Sequence, residues 1–111
     1  MQATRTIGKI KGLLQELKQA LENLYGDRFV SLILYGSHAR QEATDDSDID
    51  IMVVLQGTVS PANEIFRMGA IKTALNLKYD ELISVLSISA TDFRDRIIPF
   101  LKNVRQDGIV L

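Results

Sequence analysis

Along the first quarter of the chain, Ile7, Ile10, Leu13, Leu14, Leu17, Leu21 and Leu24 recur three and four positions apart. Lys9, Lys11, Glu16, Lys18 and Glu22 fall mostly between them, which is the period of a helix with one apolar stripe. Gly26 is a natural stop. The pattern then changes to short apolar runs rich in Val, Ile and Leu, Phe29–Tyr35 and Asp48–Leu55, each long enough for a buried strand. His38–Glu42 reads as a helical turn between them, leading into an acidic loop. Gln56–Val59 makes a turn, and Ser60-Pro61 pairs an N-cap with proline at the first helical position. The helix expected from about Pro61 to Lys78 carries Ile65, Met68, Ile71 and Leu75 on its buried stripe, with Ala74 beside them. Leu82–Ser89 is a third strand, after which Ser89 or Thr91 caps a helical stretch around Asp92–Ile98. Pro99 interrupts it, Phe100–Gln106 continues as a second short helix, and Asp107-Gly108 turns the chain before the terminal Ile-Val-Leu. Three or four strands alternating with helices predict an α/β (α+β) fold around one small sheet.

Length and composition narrow the setting more than the chemistry. A chain of 111 residues suits a single domain over 1–111 and can bury a core without staples. Cysteine is absent, so disulfides and thiolate metal sites are excluded, which suits a reducing cytoplasm. No apolar stretch approaches the ~20 residues of a membrane span. The opening Met-Gln-Ala-Thr-Arg-Thr-Ile-Gly-Lys does not lead into a signal-peptide core. The expectation is a cytoplasmic protein. With 13 basic and 14 acidic side chains the chain lacks the basic footprint of a dedicated nucleic-acid binder.

Charge placement says more than total charge. Glu42, Asp45, Asp46, Asp48 and Asp50 crowd the segment from Gln41 to Asp50, with no basic residue among them. Such density is repulsive and invites a cation. Glu42, Asp45 and Asp46 read as a solvated loop. Asp48 and Asp50 differ because they run directly into Ile51–Leu55. Alternation puts both on one strand face, with Met52 and Val54 continuing it into the core. Carboxylates at i and i+2 can share a hard divalent cation, or bridge a pair about 3.5–4 Å apart, and leave positions for phosphate oxygens. Upstream, Gly36 permits close approach of the backbone to a ligand. The Ser37 hydroxyl and following N–H groups suit phosphate.

Gly36-Ser37, ten residues, then Asp48-x-Asp50 resembles the signature of the polymerase-beta-like nucleotidyltransferase superfamily. The longer string Tyr-Gly-Ser-His-Ala-Arg…Ser-Asp-Ile-Asp-Ile, the small size and the ending Pro-Phe-Leu-Lys-Asn-Val-Arg-Gln-Asp-Gly resemble its minimal nucleotidyltransferase branch. The resemblance implies a single nucleotidyltransferase-fold domain with a small mixed sheet of three to four strands flanked by helices. It also implies Mg²⁺-dependent transfer of AMP from ATP, with one or two metal ions on Asp48 and Asp50 and the triphosphate on Gly36 and Ser37. Many such proteins are antitoxins that silence a HEPN-domain ribonuclease toxin by adenylylating a tyrosine, so a hetero-oligomer with a toxin is the expected assembly. The superfamily usually adds a third acid from the neighbouring strand. Here that strand reads Leu-Ile-Ser-Val-Leu-Ser-Ile, so Asp80 or Glu81 just before it is the candidate, or Ser84 takes the position.

Other polar residues carry two readings. Arg40 suits either a phosphate oxygen or a salt bridge within the acidic loop. His38, the only histidine, is expected on a solvent-facing turn, and with no second histidine a zinc site is a poor fit. Arg94, Arg96, Lys102 and Arg105 alternate with acids and read as a solvated mixed surface; Tyr35 reads as core. Two function classes follow: a transferase whose acceptor surface comes from a partner protein, or a catalytically weak or inactive nucleotide-binding antitoxin that acts by occlusion.

Overall fold

The computed structural model describes residues 7–111; residues 1–6, read above as lacking a signal-peptide core, lie outside the described residues. The leucine stripe forms helix α1, Lys11–Tyr25, preceded by one 3₁₀ turn at Ile7–Ile10. Leu13, Leu14, Leu17 and Leu21 are buried along it. Gly26 ends the helix with φ +55, a conformation that glycine adopts without steric cost. Strands β1, Phe29–Tyr35, and β2, Ile49–Leu55, follow, then helix α2, Pro61–Tyr79, and strand β3, Ile83–Ser89. Helices α3, Ala90–Asp95, and α4, Pro99–Asp107, lead to a short strand β4, Ile109–Val110.

The sheet order is β3-β2-β1-β4. β1 pairs antiparallel with both β2 and β4, whereas β2 and β3 are parallel. A parallel pair needs a long crossover, and α2 supplies it. The sheet is therefore mixed and four-stranded. Strand alternation splits its side chains between two apolar layers. Leu32, Leu34, Ile49, Ile51, Val53, Leu55 and Ile83 meet the α1 and α2 stripes on one side. Ile33, Met52 and Val54 meet Leu101 and Val104 of α4 on the other. Among the described residues no helix is long and apolar enough to cross a membrane.

Two expectations change. The stripe of α2 runs Glu64, Met68, Ile71, Leu75 and Tyr79, and Ile65 is 61% exposed. Adjacent helix positions lie about 100° apart, so the face that buries Glu64 turns Ile65 to solvent. Glu64 is buried because it has partners: the Tyr25 hydroxyl donates to its Oε1 at 2.9 Å, and Arg67 Nε lies 3.7 Å away. At the opposite end of the helix pair, Lys78 and Tyr79 both bond Glu16. The second change concerns α3, which stops at Asp95 instead of reaching Ile98. Pro99 disfavours helical geometry in the residue before it; Ile98 is extended at φ −127, ψ 148, and Arg96 is already extended at φ −71, ψ 130. Pro99 then opens α4 as its first residue, while Ser89 rather than Thr91 caps α3 by accepting from the Asp92 N–H at 3.1 Å.

Tyr25→Phe would leave the buried Glu64 carboxylate without its hydroxyl donor. The expected cost is about 1–3 kcal/mol, read as a lower midpoint in cooperative urea unfolding with unchanged slope. An unchanged midpoint would show that Arg67 alone satisfies Glu64.

Candidate active site

The β1–β2 pairing decides where the polar residues between those strands meet. Tyr35 at the end of β1 lies opposite Asp50 at the second position of β2, and both project to the α4 side of the sheet. Met52 and Val54 continue that face into the core, as the alternation predicts. Gly36 follows at φ +74. A Cβ there would collide with Asp50 Oδ2 and stand 3.2 Å from Asp50 Cγ. Glycine is required twice over, by its dihedral angle and by the carboxylate against its backbone.

The chain then winds into the expected turn. The Arg40 N–H donates to the Gly36 carbonyl at 3.2 Å and the Glu42 N–H to the Ser37 carbonyl at 2.8 Å. His38 is not on the solvent side of this turn. It is only 2% exposed, so the imidazole is buried within the fold. There it favours the charged form of Asp50. Arg40 stays outside, its Nε 3.3 Å from Glu42 Oε2, so the salt bridge with the acidic loop is formed. Further on, Thr44 N–H donates to Ser47 Oγ at 2.9 Å and Ser47 N–H to the Thr44 carbonyl at 3.0 Å. This small ring holds the loop just ahead of Asp48, while Asp45 and Asp46 stay exposed.

Asp48 is exposed and Asp50 half-buried, one residue before and one residue after the first residue of β2. Burial raises the Asp50 pKa above the ordinary carboxylate range, and the charge of Asp48 raises it further; His38 and Arg40 pull the other way. Burial and Asp50 likewise raise the Tyr35 phenol. Tyr35 is therefore a rim residue rather than full core, its ring edge-on to Phe100 at 5.5 Å.

The neighbouring strand brings Ser84, not an acid, beside Asp50. Parallel pairing sets Ile49 opposite Ile83 and Asp50 opposite Ser84. Asp80 is the left-handed cap of α2 at φ 51, and the Glu81 N–H donates to the Asn76 carbonyl at 3.1 Å. Among the described residues no three His, Cys, Asp or Glu side chains form a group suited to a metal. Neither Asp80 nor Glu81 thus completes a three-carboxylate cluster with Asp48 and Asp50. Sequence reading also passes over α4. Phe100, Asn103 and Asp107, spaced three and four apart on that helix, line a cavity of about 180 Å³ together with Tyr35, Gly36 and Arg40. That spacing is the signal by which they could have been found.

The architecture agrees with known proteins that this chain is similar to. The family model for polymerase beta nucleotidyltransferases matches residues 15–111. A protein of Methanocaldococcus jannaschii, provisionally named a protein adenylyltransferase, is 36% identical over 99 residues, 88% of this chain and 93% of the relative. Two solved chains share the fold, both from structures of variants of the toxin–antitoxin MntA-HpeT. One has a TM-score of 0.59 at 14% identity, covering 90% of this chain and 69% of the other. The second has a TM-score of 0.57 at 19% identity, covering 91% and 69%. A turn closed onto an acidic strand, in a sheet of this topology and with these relatives, identifies the chain as a nucleotidyltransferase that belongs to the polymerase beta nucleotidyltransferase family.

Proposed function

We propose that this nucleotidyltransferase moves AMP from ATP, with Mg²⁺, onto a hydroxyl of a partner protein. The partner is a HEPN-type toxin, the hydroxyl that of a tyrosine, and the reaction makes the protein an antitoxin. The observation that carries the reading is the close approach of Asp50 to Gly36, which joins the Gly-Ser turn to an acidic pair. The naming of the Methanocaldococcus jannaschii relative as a protein adenylyltransferase supports a protein acceptor. The fold shared with chains of a toxin–antitoxin complex supports a toxin as that protein. The absence of cysteine suits a reducing cytoplasm as the setting of the reaction.

The donor set fits the metal. Asp48 and Asp50 would hold a divalent cation through hard oxygen ligands, and the cation would relieve their mutual repulsion. Such an ion supplies charge neutralisation on the transferring phosphoryl group. The protein's own residues do the rest. Backbone N–H groups from Ser37 to Ala39 and the Ser37 hydroxyl hold the phosphate chain, and the Arg40 side chain exchanges Glu42 for a phosphate oxygen. The acceptor hydroxyl attacks the α-phosphorus in line. A new P–O bond forms as the α–β bridge breaks, and pyrophosphate leaves with the electron pair. With serine opposite Asp50, the hydroxyl proton departs to water or a phosphate oxygen, which a loose transition state tolerates.

Ser84 also favours a second reading, in which the protein binds nucleotide and neutralises its partner by occlusion. Incubation with the partner, Mg²⁺ and labelled ATP separates the two. Label on the partner that falls by roughly 10²–10³-fold or more in Asp48→Ala/Asp50→Ala supports transfer. Full neutralisation by that variant without any label supports occlusion instead.

Two further outcomes follow from the Asp48–Asp50 repulsion and the Gly36 contact. Asp50 has a raised pKa in the fold, so the native state holds its proton more tightly than the unfolded chain does. Its contribution to stability is full below the unfolded carboxylate value and is lost as pH rises through the folded one. Asp50→Asn should therefore stabilise the metal-free protein near neutral pH, by up to about 1 kcal/mol after solvent screening. It should also lose the rise in melting temperature that Mg²⁺ gives the unsubstituted protein. Thermal unfolding in chelator and in Mg²⁺ measures both, and a lower melting point in chelator would contradict the repulsion. Gly36→Ala should abolish transfer as completely as Asp50→Asn, because its methyl group displaces that carboxylate; single-turnover transfer of labelled AMP tests it.

A further inference from the structure

The cavity beside the turn has a composition that the phosphate chain does not explain. Gly36 and Arg40 form one wall; Phe100, Asn103 and Asp107 of α4 form the other, with Tyr35 between them. A carboxylate repels a phosphate, so Asp107 marks this side as the place for an uncharged part of the nucleotide. The open cleft of about 180 Å³ has room for one ring and is smaller than the pockets of roughly 300–1,000 Å³ that enclose drug-sized ligands. A carboxylate and an amide beside aromatic rings match a sugar: hydroxyls donate to the first two, and C–H faces pack on the rings. Dinucleotide-binding folds use the same chemistry, an Asp or Glu accepting from a ribose hydroxyl.

Asp107 is also held where such a role needs it. Leu101 and Val104 anchor α4 in the second apolar layer. Immediately after Asp107, a Cβ on Gly108 would meet Ile33 Cγ2 of β1 at 2.7 Å, so the helix end lies directly on the sheet. Ile109 then pairs with Leu34 of β1. Asp107 is thus fixed on both sides to the strand that delivers Gly36, as a positioned recognition group must be.

We infer that Asp107, with Asn103, accepts the ribose hydroxyls of the bound nucleotide and makes the enzyme select ribonucleotides over 2′-deoxyribonucleotides. The inference rests on the nucleotidyl-transfer reading and adds the residue that reads the sugar. The test compares ATP, 2′-deoxyATP and GTP, in binding titrations and in transfer to the partner, for the unsubstituted protein, Asp107→Ala, Asp107→Asn and Asn103→Ala. The unsubstituted protein should prefer ATP to 2′-deoxyATP by about tenfold or more, the fold-change of one hydrogen bond to a charged group. Asp107→Ala should bring that ratio near one by raising KM for ATP alone, with kcat and melting temperature kept; Asp107→Asn, which retains an acceptor, should keep part of it. Equal weakening of ATP and 2′-deoxyATP would overturn the assignment in favour of a structural role. A change in ATP against GTP with an unchanged sugar ratio would move the base into the cavity and also overturn it. If the unsubstituted protein binds no nucleotide, the transfer reading and the sugar site fall together. Binding without sugar preference removes the sugar site alone.

Discussion

The contact between a glycine backbone and a carboxylate organises this molecule's chemistry. Asp50 lies against Gly36 so closely that no side chain fits between them. Antiparallel pairing of β1 and β2 brings the two together, with Tyr35 opposite Asp50. The same register sends Met52 and Val54 into the core and leaves Asp50 at the rim. One-residue slippage would reverse every side chain of β2. The apolar alternation of that strand therefore determines where the carboxylate stands as well as how the sheet packs.

Holding Asp48 and Asp50 together sets the structure against itself in one small region. Burial and like charge both raise the Asp50 pKa, and His38 and Arg40 only partly offset them. Elsewhere the fold handles buried charge differently: Glu64 is given a hydroxyl and a guanidinium partner. The contrast separates a structural carboxylate, satisfied within the chain, from one that the chain leaves only partly compensated. Unrelieved electrostatic cost at a rim is what functional sites commonly show.

The strands and the acidic pair were legible in the sequence because their signals are local. A short apolar run declares a strand, and Asp-x-Asp entering such a run declares a shared face. Reading failed where the deciding contact comes from a distant residue. Glu64 looks like a surface acid until Tyr25, thirty-nine positions away, is placed beside it. His38 looks solvated in a polar turn, yet the fold buries it. The α4 wall of the cavity belongs to the same class, since nothing near Asn103 or Asp107 mentions Gly36. Ser84 was legible in identity; only the parallel register put it opposite Asp50.

The order in which the site can assemble follows from the chain topology. Gly36, Ser37, Arg40, Asp48 and Asp50 all belong to one hairpin and its connecting segment. β3 joins β2 only after the whole of α2 is crossed, and β4 reaches β1 from the far end of the chain. Short loops close at lower entropic cost than long ones. The acidic pair and its glycine can thus meet in an early hairpin, while the wall carrying Asp107 arrives with the last strand. The cavity between the turn and α4 is therefore complete only when the end of the chain has joined the sheet.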